Sequence, residues 1–207
     1  MAERSKNDIW ISKATDWFGN QGWTPFAFQR QTWSAFLNNK NGLLNAPTGS
    51  GKTYALWFPI LLEHLRKEEE RPGSSSSGLK AVWITPLRAL SEEIRQSAER
   101  IIADLGIPFT VGIRTGDTSQ AERARQRKKM PDLLITTPES MQLLLASKGY
   151  ARIVAKCFGV VVYEWHELLG SIRGVLMELA LYRLKGVSPG MKIWWISATI
   201  GNLEQAR

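Results

Sequence analysis

A single cysteine, Cys157, is all the thiol chemistry this 207-residue chain carries, so no disulfide framework can hold it together. A reducing, intracellular compartment is the default that follows. Cys157 lies beside an apolar run, which makes it core filler rather than a nucleophile. Long apolar runs are missing too. None approaches the length of a bilayer span, and the opening stretch MAERSKNDIWISKATDW carries charges where a secretory leader needs an unbroken apolar core. The expectation is a soluble, cytoplasmic protein without a membrane partner. Acidic side chains are scarce: 19 Asp and Glu stand against 27 Lys and Arg, and the formal charge of +8 favours a polyanionic partner. No internal repeat is evident, and the length suits one large α/β domain with a sizeable core.

What is present is organised around Ala46-Pro47-Thr48-Gly49-Ser50-Gly51-Lys52-Thr53. This stretch follows the apolar run Gly42-Leu43-Leu44 and precedes an apolar helical pattern, which is the strand, glycine-rich loop and helix context of a phosphate cradle. Small residues let successive backbone N–H groups converge on a phosphate, the following helix adds the positive end of its dipole, and Lys52 supplies an ammonium to the β and γ phosphates. Thr53 offers a hydroxyl to Mg²⁺. Residues 48 to 53 are therefore the candidate nucleotide-binding set.

Upstream, Asn7 to Phe18 reads as a short packing helix, and Thr24 is placed to cap a helix starting at Pro25. Gln29 falls on that helix, and its side-chain amide combines an acceptor and a donor that suit N6 and N7 of adenine. Downstream, Tyr54–Leu65 is helical, the Ser/Gly-rich stretch from Arg71 to Gly78 is a surface loop, and Leu79–Ile84 is a strand. A helix over Ser91–Asp104 and strands over Phe109–Arg114, Asp132–Thr136, Phe158–Val162 and Met191–Ile196 follow, with a short helix running to about Ala146. Ala121–Lys129 is a basic helix whose charges spread around it, which fits a solvated face and a nucleic-acid contact equally. Most of the nine tryptophans fall at apolar-periodic positions and read as core first, base-stacking groups second. Apolar strands alternating with helices predict a mainly parallel sheet covered on both faces, with ligands at the carboxyl ends of its strands. Each short polar motif follows a strand.

Taken in order, Ala46 to Thr53, Thr85 to Leu90, Thr136 to Ser140, Glu164-Trp165-His166 and Ser197-Ala198-Thr199 resemble motifs I, Ia, Ic, II and III of superfamily 2 helicases. The stretch Glu164 to Gly170 is most similar to the Lhr-like DExH branch, which includes bacterial ligase-associated members. The resemblance covers nearly the whole chain. It implies a RecA-like P-loop NTPase domain over residues 1–207, with residues 1–40 forming amino-terminal helices that carry a Q-motif-like segment. ATP and Mg²⁺ would be the cofactors. Gln29 would read adenine, with Trp23 or Phe26 packed near the base. Thr85, Pro86, Arg88, Thr115, Gly116, Thr137 and Pro138 would line a track for one nucleic-acid strand, holding its phosphates without reading sequence. Ser197 and Thr199 would couple nucleotide state to strand grip, and His166 would relay between the γ-phosphate and motif III. Single-stranded DNA is favoured over RNA by the branch resemblance, and a DNA-repair partner such as a ligase or nuclease fits it.

One position departs from the family pattern. The strand of motif II ends there in an Asp that holds Mg²⁺ and a Glu that orients or deprotonates the attacking water. Here the run is Val160-Val161-Val162-Tyr163-Glu164-Trp165-His166, with Tyr163 where the Asp belongs. A neutral phenol, with an ordinary pKa near ~10, is a poor ligand for a hard cation and is much larger than a carboxylate. A severe loss of turnover is expected, of about two to three powers of ten. Nucleotide could still bind through the loop and Lys52. Natural divergence and an introduced substitution both account for Tyr163. A third possibility, that Glu164 holds the metal alone, would leave the water without a base.

The resemblance also implies a second RecA-like domain that supplies arginine fingers across the nucleotide cleft. Nothing after Thr199 encodes one, so the chain is expected to be the amino-terminal part of a longer protein that by itself unwinds nothing. Two other classes stay in view. A catalytically silent, nucleotide-dependent binding module is motivated by Tyr163. A small-molecule kinase would need an acceptor pocket and a lid, for which the sequence has no candidate helix.

Overall fold

The computed structural model describes residues 6–72 and 78–197. Among them, β1 (Gly42–Asn45), β2 (Ala81–Ile84), β3 (Val111–Arg114), β4 (Leu133–Thr136), β5 (Gly159–Tyr163) and β6 (Lys192–Ser197) form one sheet in the order β1-β6-β5-β2-β4-β3. Every neighbouring pair is parallel. The strands from β2 onward begin one or two residues later than the apolar runs suggest, although Lys80, Asp132 and Phe158, just ahead of β2, β4 and β5, already take part in backbone hydrogen bonds between these strands.

Alternation along each strand divides the core in two. Ala81, Trp83, Leu133, Ile135, Val161, Trp194 and Ile196 point to one face. Val82, Ile84, Leu134, Val160 and Val162 point to the other. Strands loaded with β-branched and aromatic residues on both sides must be covered on both sides. The first face is covered by α1 (Lys6–Asn20), α2 (Ala27–Leu37), α3 (Lys52–Glu70) and α4 (Ser91–Asp104), and the second by α6 (Pro138–Leu145), α7 (Tyr150–Val154) and α8 (Ile172–Val187). Helix α5 (Gln120–Lys128) lies along edge strand β3, where the buried Gln126 donates to the Ile113 carbonyl. Trp10, Trp17, Trp33, Trp57, Trp83 and Trp194 are buried, so the core reading of the tryptophans holds for these six. Cys157 is buried as well, and burial pushes its thiol up to about 12, which keeps it inert.

Four helices depart from the sequence reading. Helix α2 starts at Ala27 rather than Pro25, because Phe26 is its N-cap and Gln29, not Thr24, satisfies the free Phe26 N–H. Helix α3 runs on through the polar stretch to Glu70, held by Glu63 pairing with Arg66 at 2.6 Å and with Lys67 at 3.2 Å. Helices α7 and α8 have no counterpart in the sequence reading. The apolar residues of α8 do not form one stripe: Met177, Ala180, Leu181 and Leu184 are buried while Ile172, Val175, Leu179 and Tyr182 are exposed, so its period is blurred. Beside it, Leu43, Trp165, Leu169 and Trp195 open an apolar groove of about 670 Å³ along β1. No helix among the described residues is long and apolar enough to cross a membrane.

Candidate nucleotide and nucleic-acid site

Parallel strands end on one side of the sheet, and that side collects the motifs. The order β1-β6-β5 sets the loop after β1 beside Ser197 and Tyr163–His166, while β2-β4-β3 sets Thr85 beside Thr137 and Thr115. The first trio faces a cavity of about 560 Å³, lined by Thr48, Gly49, Gly51, Lys52, Thr53, Tyr163 and Glu164 together with residues of α4. That volume is in the range of small-molecule sites, roughly 300–1,000 Å³.

The loop has the backbone of a phosphate cradle. Gly49 and Gly51 sit at φ +78° and +79°, a conformation that L side chains rarely adopt, and Gly51 is the N-cap of α3. The first N–H groups of a 19-residue helix therefore open toward the cavity with no partner inside the helix. Ser50 ties the loop by donating its hydroxyl to the Pro47 carbonyl at 2.6 Å. Lys52 is buried, donates to the Ala46 carbonyl at 2.9 Å and stands 3.8 Å from Glu164. Burial draws its pKa below the usual lysine range, and the Glu164 charge draws it partly back. An arriving phosphate would exchange one carbonyl and one distant carboxylate for a full anion.

Gln29 is buried with both ends of its amide engaged. Its Oε1 accepts from the Phe26 N–H at 2.8 Å and its Nε2 donates to the Gly51 carbonyl at 3.0 Å. The side chain thus clips α2 to the phosphate loop, and a purine could use only the lone pair and the N–H that remain. Trp23 packs against Trp17, Phe18 and Tyr54, and Phe26 stacks on Phe28 at 5.7 Å. Neither lines the cavity. Tyr54, Glu93, Gln96, Ser97 and Arg100 do, and sequence reasoning had singled out none of them. The polar side of α4 looks the same in sequence whether it faces water or a ligand. Only Arg100 stands out in the structure, its guanidinium lying 5.3 Å from the Trp23 ring centroid.

At the end of β5, Tyr163 is held in register opposite Ile196, with its ring 5.9 Å from that of Trp83. Burial and the charges of Glu164 and Glu93 push the phenol above its ordinary range, while the neighbouring Thr53 hydroxyl pulls the other way by hydrogen bonding. Glu164 follows in a left-handed conformation, φ 51° and ψ 48°, which costs a non-glycine residue about 1–2 kcal/mol. That turn directs its carboxylate between Lys52 and His166, whose Nδ1 lies 3.3 Å away. The Ser197 hydroxyl lies 2.9 Å from the same Nδ1. Loop lysine, motif II acid, His166 and Ser197 are thus one connected chain; Ala198 and Thr199 lie outside the described residues. These residues do not fit a magnesium site. Thr53 shares the cavity wall with a phenol instead of a carboxylate, and Glu164 is drawn into the lysine and histidine contacts.

The second trio is more self-contained than expected. Thr85 and Thr137 are buried, and their hydroxyls accept from the N–H groups of Leu87 and Ser140, so they shape their own loops. Pro138 is the first residue of α6, where its missing N–H is harmless. The exposed groups are Arg88 and Gly116. Arg88 pairs with Asp117 at 2.9 Å, and a Cβ on Gly116 would meet Arg88 Nη2 at 2.7 Å. Thr115 is buried, and its carbonyl accepts from Arg123, which also donates to the Gly116 and Thr118 carbonyls. One side of the basic helix is therefore structural, while Arg127, Lys128 and Lys129 remain exposed. Arg114, which no motif flagged, is buried at the tip of β3 with Nε and Nη1 lacking partners among the described residues.

Residues 26–206 match the family described as DEAD/DEAH box helicase. The chain is 34% identical over 189 residues to the Lhr helicase/uracil glycosylase of Escherichia coli, covering 86% of this chain and 12% of that protein. To the ATP-dependent helicase Lhr-Core of Methanothermobacter thermautotrophicus it is 31% identical over 205 residues, covering 95% and 23%. The solved structure of Mycobacterium smegmatis helicase Lhr bound to ssDNA and AMP-PNP superposes with a TM-score of 0.72 at 30% identity, covering 94% of this chain and 24% of that one. The chain thus spans between an eighth and a quarter of the length of these proteins.

Proposed function

Because this chain belongs to the DEAD/DEAH box helicase family, with a RecA-like sheet and Lhr helicases among its relatives, we propose that it is the amino-terminal ATP-binding domain of an Lhr-like DNA helicase. The parent protein would couple ATP hydrolysis to movement along single-stranded DNA, with RNA the less favoured strand. A second RecA-like domain would close over the cavity and supply the charges that steady the transition state. Cytoplasmic DNA repair, beside a ligase or nuclease, is the setting this reading favours.

The observation that carries it is the pairing of buried Lys52 with Glu164, 3.8 Å apart, beneath two left-handed glycines on a cavity of nucleotide size. In the proposed cycle Lys52 and the loop N–H groups hold the β and γ phosphates, Glu164 orients the attacking water, and His166 passes the loss of the γ-phosphate to Ser197. Magnesium would supply charge neutralisation in relatives that keep the motif II aspartate. With Tyr163 in its place, this chain hydrolyses slowly or not at all.

Tyr163 also favours a second reading, a nucleotide-dependent DNA-binding module without turnover. The two part in a protein carrying both RecA-like domains, assayed for DNA-stimulated ATP hydrolysis with Tyr163→Asp. Hydrolysis that appears with the carboxylate supports the motor. Activity that stays at background while DNA binding responds to nucleotide supports the module, and the same assay with an RNA oligonucleotide tests the preference for DNA.

A further inference from the structure

A phosphate loop next to a strand-end carboxylate has a built-in need for metal. Without the cation, the carboxylate repels the triphosphate; with it, the two charges of the metal outweigh the one of the acid. In this chain that acid is missing. The Tyr163 phenol lines the same cavity as Thr53, its backbone held by the β5–β6 register and its ring packed against Trp83. Glu164 is turned toward Lys52 and His166 by its left-handed backbone. The other carboxylate lining the cavity, Glu93, is exposed on α4, near enough to Tyr163 for its charge to act on the phenol. Positive groups are still in place: Lys52, the Arg100 guanidinium and the amino-terminal end of α3.

From this arrangement we infer that the domain binds its nucleoside triphosphate without a divalent cation, with the Tyr163 hydroxyl donating to a phosphate oxygen where relatives place the metal and its waters. The inference rests on the cavity being the nucleotide site. Tyr163 then has two effects with one cause. Replacing the acid takes away one of the charges whose repulsion metal offsets, leaving Glu164 held by Lys52 and His166 and Glu93 exposed to solvent, and it removes the anchor that would hold metal in place for hydrolysis.

The test is a titration of the full 207-residue chain with a fluorescent ATP analogue, once in excess MgCl₂ and once in excess EDTA. The expected dissociation constants agree within about threefold, less than 1 kcal/mol. Tight binding in MgCl₂ that is lost in EDTA overturns the inference and leaves the nucleotide site standing. Loss of binding in both, with the chain folded by circular dichroism, overturns the nucleotide site itself. Tyr163→Asp restores the acid, and its affinity in EDTA is expected to fall about tenfold below its affinity in MgCl₂; equal affinities in this variant overturn the inference. Tyr163→Phe keeps the ring and is the safeguard against misfolding. Its affinity is expected to fall about tenfold in both buffers, the worth of one hydrogen bond to a charged acceptor, and no change would overturn the donor role of the phenol.

Discussion

The tips of β1 and β5 are separated in the sheet only by β6, yet they carry opposite kinds of information. At β1 the site is made of backbone: two glycines at positive φ, free N–H groups at the start of α3, and one lysine folded onto a carbonyl. At β5 it is made of side chains: a phenol, a carboxylate, an imidazole and, from β6, a hydroxyl. A cradle built from backbone survives many substitutions, because apart from Lys52 only changes at its glycines disturb it. A chemical centre built from side chains is altered by one. This chain keeps the first and has Tyr163 at the second, and under the proposed function that separates gripping a nucleotide from hydrolysing it.

The sharpest way to sharpen that contrast is to repair the β5 tip. With Tyr163→Asp in a protein that carries both RecA-like domains, DNA-stimulated hydrolysis is expected to rise by about two to three powers of ten, measured as phosphate release. Next is to damage the β1 tip. Lys52→Ala should weaken nucleotide binding by roughly tenfold to a hundredfold, with and without magnesium, since a charge-assisted contact to phosphate is lost in both. An affinity that falls only when magnesium is present would erase the difference between the two tips.

The glycines offer a smaller and more local test. Gly51→Ala must place a Cβ 2.8 Å from Gln29 Nε2 at φ +79°, whereas Gly49→Ala meets open space at φ +78°. Both are expected to destabilise by about 1–2 kcal/mol from backbone strain, with Gly51→Ala the worse because it also displaces the Gln29 clip, as read from urea midpoints. The smallest effect concerns pH. The phenol of Tyr163 is held above its ordinary pKa, so the folded state keeps a proton that the unfolded chain gives up first. Its contribution to stability is fully present below the unfolded value, near ~10, and is lost as pH rises through the higher folded value. Tyr163→Phe should therefore flatten the alkaline fall in thermal stability.

Much of this was legible before any coordinates. The strands and the phosphate loop could be read because each is a local pattern, an unbroken apolar run or a glycine spacing, whereas the DExH-like segment and the misfit of Tyr163 were legible only against the resemblance to superfamily 2 helicases. Helix α8 escaped because half its apolar side chains face outward, which leaves no stripe to detect. Gln29 was visible as a candidate for adenine but not as a clip, since its partner, the Gly51 carbonyl, is a backbone atom with no signature. The hydroxyls of Thr85 and Thr137 read as phosphate contacts, whereas burial commits them to their own loops. Arg114 and the cavity-facing residues of α4 carried no signal at all, because a polar side chain has the same identity whichever way it points.

Local order along the chain was enough to predict a parallel sheet with a glycine-rich loop at one strand end, since apolar runs and glycine spacing are written in neighbouring residues; the missing carboxylate at another strand end needed the family resemblance as well. Packing alone could bring Tyr163 and Thr53 to one cavity, swing Glu164 between Lys52 and His166, and turn Arg100 toward the same cavity. Those contacts join residues far apart in sequence, and their strength depends on burial and distance, which exist only once the sheet has formed.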